Sequence, residues 1–122
     1  NKVKRWNAIA ESAAKQSKRS IMPIVHDVLS FKEAVDMAAQ CDIKLLPYEC
    51  ADGIAKTKEL INNIEAGKSV AIFIGPEGGF DQAELDYATE AGCEIITLGK
   101  RILRTETAGM MLLSVLMYHF ED

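Results

Sequence analysis

Ile-Gly-Pro-Glu-Gly-Gly-Phe, residues 74–80, is the stretch that decides the fold of this chain. It follows the continuous apolar, β-branched run 70–74, which is typical of a strand buried on both faces. A second stretch, Leu-Gly-Lys-Arg-Ile-Leu-Arg-Thr-Glu-Thr-Ala at residues 98–108, likewise connects a predicted strand to a predicted helix. Ligands bind at strand ends in α/β sheets, because backbone amides and loop side chains converge there. Two such loops in one small domain therefore predict a ligand site.

Around these loops, apolar periodicity predicts alternating helices and strands. Capping-box patterns at Ser30–Glu33 and Asp81–Glu84 mark two of the helix starts. Helices are predicted over 3–17, 31–39, 81–91 and 110–120, and strands over 22–26, 43–46, 70–74 and 94–98. A further helix is predicted after the second strand, with Leu60, Ile61 and Ile64 on one face and its end at Gly67. This order predicts an α/β fold with a mostly parallel sheet flanked by helices.

The last helix is apolar almost all round, which predicts burial on more than one side. A small domain has too little core to cover it, so we expect it to form a homodimer interface. The residues expected at that interface are Met110, Met111, Leu113, Leu116 and Met117.

Composition restricts the class of protein. The chain has 122 residues, 48% of them hydrophobic and 26% charged, as in a single globular domain. It shows no bilayer-length apolar run and no signal-peptide pattern, so we expect a cytoplasmic protein without a membrane partner. Three cysteines and two scattered histidines predict reduced thiols and no metal site. Because the chain begins at Asn1, we expect a fragment or a processed product.

Charge is unevenly distributed. Residues 1–20 contain six basic residues and one acidic residue, whereas the net charge of the whole chain is −4. The first helix and its end, with Lys18 and Arg19, could present a basic face to an anionic partner such as RNA. The alternative is an ordinary solvated helix face. An acidic chain is poorly suited to hold nucleic acid unaided, since neutralisation of phosphates supplies most of that affinity.

The glycine-rich loop favours a ligand without phosphate. Its glycines let a ligand approach the backbone closely, but neither a P-loop nor a dinucleotide fingerprint is present. Glu77 within the loop and Asp81 beyond it would repel a phosphate. A neutral or cationic small molecule suits the loop better. The alternative is a turn that only connects a strand to a helix.

The second loop is basic. Lys100, Arg101 and Arg104 offer donors suited to a phosphate or a developing oxyanion, and Thr105 or Thr107 is expected to cap the final helix. The alternative is that Arg104 forms a structural ion pair with Glu106 or Glu77.

Together the two loops resemble the RsmE family of ribosomal RNA methyltransferases in the SPOUT superfamily. The resemblance extends to residues 5–19 and Pro23, and so covers almost the whole chain. It implies an α/β fold with a C-terminal trefoil knot. It also implies S-adenosylmethionine as cofactor, a homodimer joined through the C-terminal helix and the knot region, and methylation of N3 of a uridine in 16S ribosomal RNA of the small subunit.

The resemblance also assigns residues to roles. Arg104 is the expected stabiliser of charge on the uracil oxygens, and Glu77 is expected to orient its loop or assist proton removal. Lys18, Arg19 and Arg101 are the expected RNA-binding residues. The cofactor-binding residues are expected to be Leu46, Tyr48, Glu49, Ile74, Gly75, Pro76, Glu77, Gly78, Gly79, Leu98, Gly99, Arg101, Ile102, Leu103 and Arg104.

The chain departs from the family pattern at its start. Residues 1–122 correspond to the SPOUT methyltransferase domain without its first strand and helix and without the N-terminal PUA-like RNA-binding domain. We therefore expect this piece alone to be inactive. Three alternatives remain: a non-catalytic dimerisation or ligand-binding α/β module, a nucleotide-binding domain of flavodoxin-like order, and a SPOUT methyltransferase acting on another RNA.

Overall fold

The structure, a computed structural model, describes residues 2–18, 21–49, 53–99 and 103–121. The chain divides into two compact units, Asn1–Ser30 and Phe31–Asp122. In the first unit, α1 spans Lys2–Gln16 and confirms the predicted first helix. The helix ends where the Ser17 amide donates to the Ala13 carbonyl, and Lys18 follows with a φ of +60°.

The strand predicted over 22–26 is wrong, because this segment has no regular secondary structure. The side-chain amide of Asn7 occupies the backbone groups that a neighbouring strand would use. Its Nδ2 donates to the Val25 carbonyl at 2.8 Å, and its Oδ1 accepts from the Val25 amide at 2.7 Å. Pro23 also has no N–H to contribute to a ladder.

The second unit alternates helices and strands. Its elements are α2 (Phe31–Ala38), β1 (Ile43–Pro47), α3 (Ile54–Asn62), β2 (Val70–Ile72), α4 (Gln82–Glu90), β3 (Glu94–Ile96) and α5 (Thr105–Phe120). The strands form a parallel sheet in the order β2-β1-β3, with Leu45 opposite both Ile72 and Glu94. The predicted α/β fold with a parallel sheet and flanking helices is confirmed.

The central strand explains why the sheet is covered on both faces. Successive side chains of a strand point to opposite faces, and Leu45 and Leu46 are both fully buried. Leu45 packs with residues of α3 and α5, such as Ile61 and Leu112. Leu46 packs with Leu85 of α4 in a separate apolar cluster. Helices therefore cover both faces, as the continuous apolar runs predict.

The predicted start of α4 is confirmed as a capping box. Asp81 accepts from the Glu84 amide at 2.8 Å, and Glu84 accepts from the Asp81 amide at 3.0 Å. The strands β2 and β3 are each two residues shorter than predicted. The loops at their carboxyl ends begin correspondingly earlier.

The last helix buries one stripe in this unit. Leu112 and Leu116 lie in the core, so the expectation that Leu116 belongs to an exposed interface is wrong. Met110, Leu113 and Met117 are 64%, 52% and 52% exposed. The second face that the sequence predicts to be buried is therefore open along α5. Among the described residues, no helix is long and apolar enough to cross a membrane.

Candidate functional site

The carboxyl ends of all three strands surround one cavity of about 660 Å³. Parallel strands bring these ends to the same edge of the sheet, where the following loops converge. The volume lies within the range of about 300–1,000 Å³ for small-molecule sites. The lining residues are Pro47, Tyr48, Glu49, Ile74, Gly75, Pro76, Glu77, Gly78, Gly79, Phe80, Thr97, Leu98, Gly99, Leu103, Arg104, Thr105 and Ala108.

The glycine-rich wall of this cavity is supported by aromatic packing. A tight turn forms where the Gly79 amide donates to the Pro76 carbonyl at 2.8 Å, and Gly79 has a φ of +75°. Phe80 folds back under Gly75, so that a Cβ there would lie 3.0 Å from the ring. The Phe80 ring packs against Phe31 with 5.5 Å between centroids. The turn is therefore fixed from below while its backbone faces the cavity.

The wall after β3 is held by hydrogen bonds instead. The Thr97 hydroxyl donates to the Gly99 carbonyl at 3.0 Å and accepts from the Gly99 amide at 3.3 Å. Gly99 has a φ of +122°, a backbone conformation that residues other than glycine strongly disfavour. Leu98, between the two, is partly buried against the core. This short loop thus presents backbone to the cavity in one fixed shape.

Thr105 connects the second loop to the first. Its hydroxyl donates to the Gly75 carbonyl at 3.0 Å. Thr105 is the first residue of α5, and the residue before it, Arg104, forms no side-chain capping bond. The prediction that Thr105 or Thr107 caps the final helix is therefore wrong. The hydroxyl joins the two loops across a separation of 30 residues.

The third wall comes from the end of β1. The Tyr48 amide donates to the Ile96 carbonyl at 2.8 Å, which holds Tyr48 beside β3. Leu46, predicted to bind the cofactor, does not line the cavity; its side chain is fully buried in the cluster against α4. Leu46 lies within the strand, whereas the lining residues from β1 begin at its last residue, Pro47.

The charged residues of the two motifs lie at the rim of the cavity. Glu77 and Arg104 are both exposed lining residues. In the part of the chain that the structure describes, no ion pair joins Arg104 to Glu77 or Glu106. The structural ion-pair alternative is therefore wrong, and both charges face solvent and any bound molecule.

Most of the predicted cofactor-binding residues line this cavity, but a few of the predicted site residues do not. Arg19, Arg101 and Ile102 lie outside the described residues, and Lys18 is exposed in the first unit. Five lining residues are not among the predicted cofactor-binding residues: Pro47, Phe80, Thr97, Thr105 and Ala108. Phe80, Thr105 and Ala108 nevertheless lie within the two motifs that predict the site, and Pro47 lies between the predicted Leu46 and Tyr48. No local signal marks Thr97.

A metal centre finds no support in the described part of the chain. No group of three or more His, Cys, Asp or Glu residues lies close enough there to hold an ion. Cys93 is buried, which raises the pKa of its thiol. Cys41 is partly buried and, like Cys93, carries a free thiol.

Residues 1–117 match the family model for the RNA methyltransferase domain. The chain belongs to this family. Ribosomal RNA small subunit methyltransferase E of Mesomycoplasma hyopneumoniae is 39% identical over 113 residues, which are 93% of this chain and 47% of that protein. The Bacillus subtilis protein of the same name is 37% identical over 98% of this chain and 48% of its own length. The resemblance to the RsmE family is thereby confirmed.

The fold is shared with solved members of the family. A Ribosomal RNA small subunit methyltransferase E from Neisseria gonorrhoeae, crystallised bound to S-adenosyl methionine, aligns with a TM-score of 0.78 and 32% identity. The alignment covers 96% of this chain and 47% of that one. The SPOUT-type α/β fold is thereby confirmed. The methyltransferase-domain chain spans about half the length of the curated relatives that it matches.

Proposed function

We propose that this chain is the cofactor-binding and catalytic part of an S-adenosylmethionine-dependent methyltransferase that modifies N3 of a uridine in 16S ribosomal RNA. The observation that carries the proposal is the cavity at the carboxyl ends of β1, β2 and β3, which both motif loops line. The curated relatives, named for methylation of small-subunit ribosomal RNA, supply the substrate class.

The chemistry of the cavity fits the proposed cofactor. S-adenosylmethionine carries a sulfonium, an ammonium and a carboxylate, and it has no phosphate. The carboxylates of Glu49 and Glu77 suit the cationic groups, and the glycine-rich loop matches neither a P-loop nor a dinucleotide fingerprint. Apart from the adjoining residues, no atom of the described part of the chain lies within 4 Å of where a Cβ would project at Gly78, Gly79 and Gly99, so the backbone there is open to a flat ligand. An S-adenosylmethionine-bound relative supports the same assignment.

Backbone groups provide the cofactor contacts in this proposal. We assign adenine and ribose to the loops through Gly75, Gly78, Gly79, Leu98, Gly99 and Leu103. When bound, the cofactor supplies an electrophilic methyl group. The role of the walls is to hold that ligand in one orientation, because a transfer between two bound molecules depends on their alignment.

Arg104 and Glu77 provide the proposed chemistry on the RNA side. Methylation at N3 requires the uracil N3–H to lose its proton, so negative charge develops on the uracil oxygens. The exposed Arg104 guanidinium at the rim can donate to those oxygens. Glu77 orients its loop or assists proton removal. Lys18, Arg19 and Arg101 are proposed to contact RNA phosphates.

The remaining features of the proposal concern assembly. We propose a C-terminal trefoil knot around the cavity and a homodimer in which α5 meets a second copy. The open apolar face with Met110, Leu113 and Met117 supports that interface. In the whole protein, a PUA-like domain and the first strand and helix would complete the RNA-binding and catalytic parts. A ribosomal RNA substrate implies a cytoplasmic location.

Ligand choice tests the proposal first. Calorimetric titration of the protein at its full natural length with S-adenosylhomocysteine and, separately, ATP should give binding of the former only. Binding of ATP alone would favour the nucleotide-binding alternative and overturn the proposal. Binding of S-adenosylhomocysteine without methyl transfer to undermethylated small subunits would favour a non-catalytic module, and transfer to a different RNA would correct the substrate.

Arg104 provides the sharpest mechanistic test. Replacing Arg104 with Ala should slow methyl transfer by about 10²–10³, since loss of one donor to a developing oxyanion has that effect. Affinity for S-adenosylhomocysteine should change far less. Glu106→Ala is the matched control, because Glu106 is the second residue of α5 and lies outside the cavity lining. A rate within a few-fold of wild type for Arg104→Ala would remove Arg104 from the mechanism.

A further inference from the structure

A threonine outside the cavity holds one of its walls. Thr57 lies on α3 and is 3% exposed, and it does not line the cavity. Its hydroxyl donates to the Thr97 carbonyl at 2.7 Å and accepts from the Thr97 amide at 3.2 Å. One side chain thus satisfies both backbone groups of a residue 40 positions away.

These bonds replace the next pair of a strand ladder. β3 ends at Ile96, and Thr97 is the first residue that no neighbouring strand pairs. Thr97 is only 5% exposed, so its backbone groups have little access to water. A buried amide or carbonyl without a hydrogen-bond partner destabilises the fold, because it has given up its hydrogen bonds to water and gained none in return. The Thr57 hydroxyl is therefore what allows the chain to leave the sheet at this point.

The bonded residue continues directly into the cavity wall. The Thr97 hydroxyl fixes Gly99 by two further hydrogen bonds, and Gly99 is held at a φ of +122°. Hydrogen bonds thus connect Thr57 of α3 to Thr97, and Thr97 to Gly99. Leu98 and Gly99 line the cavity. Thr57 is the residue in this series of contacts that does not line the cavity, within the described residues.

We propose that Thr57 is a positioning residue that holds Thr97–Gly99 in the shape that binds the cofactor. This inference rests on the proposed function, because it names the ligand as S-adenosylmethionine. Thr57 itself touches no reactant, so its loss should weaken cofactor binding and leave the chemical step unchanged.

The test compares removal of the hydroxyl with its retention. In the protein at its full natural length, Thr57→Val should weaken S-adenosylhomocysteine binding about tenfold, which corresponds to the loss of roughly one net hydrogen bond. The KM for S-adenosylmethionine should rise similarly, while kcat at saturating cofactor should stay within about twofold. Thr57→Ser keeps the hydroxyl and should restore binding.

A matched control separates positioning from a general loss of stability. Ile61 is buried on the same helix one turn later, and Ile61→Val removes a methylene without touching Thr97. It should destabilise the fold and leave cofactor affinity unchanged. If Ile61→Val weakens binding as much as Thr57→Val does, the proposal is overturned. Binding by Thr57→Val at wild-type strength would overturn it as well.

A readout without ligand keeps the inference distinct from the proposed function. Hydrogen exchange of the Leu98 and Gly99 amides should accelerate in Thr57→Val. If that variant does not fold, Thr57→Ala replaces it and should show the same acceleration. Unchanged exchange would overturn the positioning role. If the wild-type protein does not bind S-adenosylhomocysteine, the proposed function fails, and the assignment of Thr57 to that cofactor fails with it.

Discussion

The two ends of the parallel sheet are built from similar residues but serve different purposes. At the amino end, Asp42 and Ser69 bond to each other: Asp42 Oδ2 accepts from the Ser69 amide at 2.9 Å, and the Ser69 hydroxyl accepts from the Asp42 amide at 2.9 Å. At the carboxyl end, hydroxyls bond to the backbone of the cavity walls, as Thr105 does to Gly75. At the amino end, the two residues satisfy each other's polar groups. At the carboxyl end, the hydroxyls hold the loops that surround the cavity.

This difference separates stability from binding. Reciprocal bonds at the amino end pair the polar groups of Asp42 and Ser69 with one another. The bonds at the carboxyl end fix the loops from behind, so that their front faces a space of about 660 Å³. Changes at the amino end should therefore alter the free energy of unfolding, whereas changes at the carboxyl end should alter ligand affinity as well.

The largest effect is expected from two matched glycines. Gly99 at the carboxyl end and Gly67 at the amino end have φ values of +122° and +89°. At either position, a Cβ would meet no atom of the described residues within 4 Å, apart from the adjoining residues. Backbone strain of about 1–3 kcal/mol is therefore the main consequence of replacing either one with Ala. Gly99→Ala should weaken S-adenosylhomocysteine binding roughly 10- to 100-fold by calorimetry.

Gly67→Ala is the control for this comparison. It should lower the midpoint of urea unfolding and leave the affinity of the folded protein unchanged. Equal losses of affinity in both variants would show that the two ends of the sheet are not functionally separate.

A smaller effect is expected from the bond between the loops. Thr105→Val removes the hydroxyl that donates to the Gly75 carbonyl, and should weaken S-adenosylhomocysteine binding by about five- to tenfold, the value of about one net hydrogen bond. Thr105→Ser should retain most of the affinity. Thr107→Val, at an exposed position two residues later, tests whether loss of any hydroxyl on α5 has this effect. Comparable weakening by Thr107→Val would contradict the assignment.

The smallest effect concerns the amino end and depends on pH. Hydrogen bonds from the Ser69 amide and hydroxyl lower the pKa of Asp42 below its ordinary value of 3.8. A group whose pKa is lower in the folded state stabilises the fold above its unfolded pKa and loses that contribution as the pH falls through the folded pKa. Asp42→Asn should therefore be slightly less stable than wild type at neutral pH, and the difference should shrink as the pH falls below 3.8 and through the lower pKa of the folded state.

Urea midpoints across this pH range measure the effect. Ser69→Ala keeps the backbone donor and should reduce the pH dependence only in part. Affinity for S-adenosylhomocysteine at neutral pH should be the same in both variants. A loss of affinity in Asp42→Asn would contradict the separation of the two ends.

The elements of the second unit could be predicted because their signals are local. Val70–Ile72 lies in an unbroken apolar run, and Asp81 with Glu84 forms the predicted capping box. The error in the first unit has a local cause of a different kind. The apolar residues around Pro23 have the composition of a strand, but the side chain of Asn7, 18 residues earlier, occupies the backbone of Val25. Composition alone does not reveal such a competitor.

The site could be predicted only in part for a related reason. The two motifs name most of the lining residues, since glycine, proline and charge are visible in sequence. Leu46 is among the predicted cofactor-binding residues, but its side chain is fully buried in the cluster against α4. Thr57 and Thr97 give no signal at all, because a threonine on a helix is usually exposed and their bond spans 40 residues.

The sequence by itself determined the order of helices and strands in the second unit, the parallel α/β class, and the two loops with their opposite charge, because each follows from neighbours within a few residues. Only the tertiary structure decided which backbone groups those loops leave open and which side chains hold them in place. Burial at this sheet edge requires every amide and carbonyl to find a partner. Thr57 and Thr105 provide such partners from distant parts of the chain, and only folding brings them next to the groups that they bind.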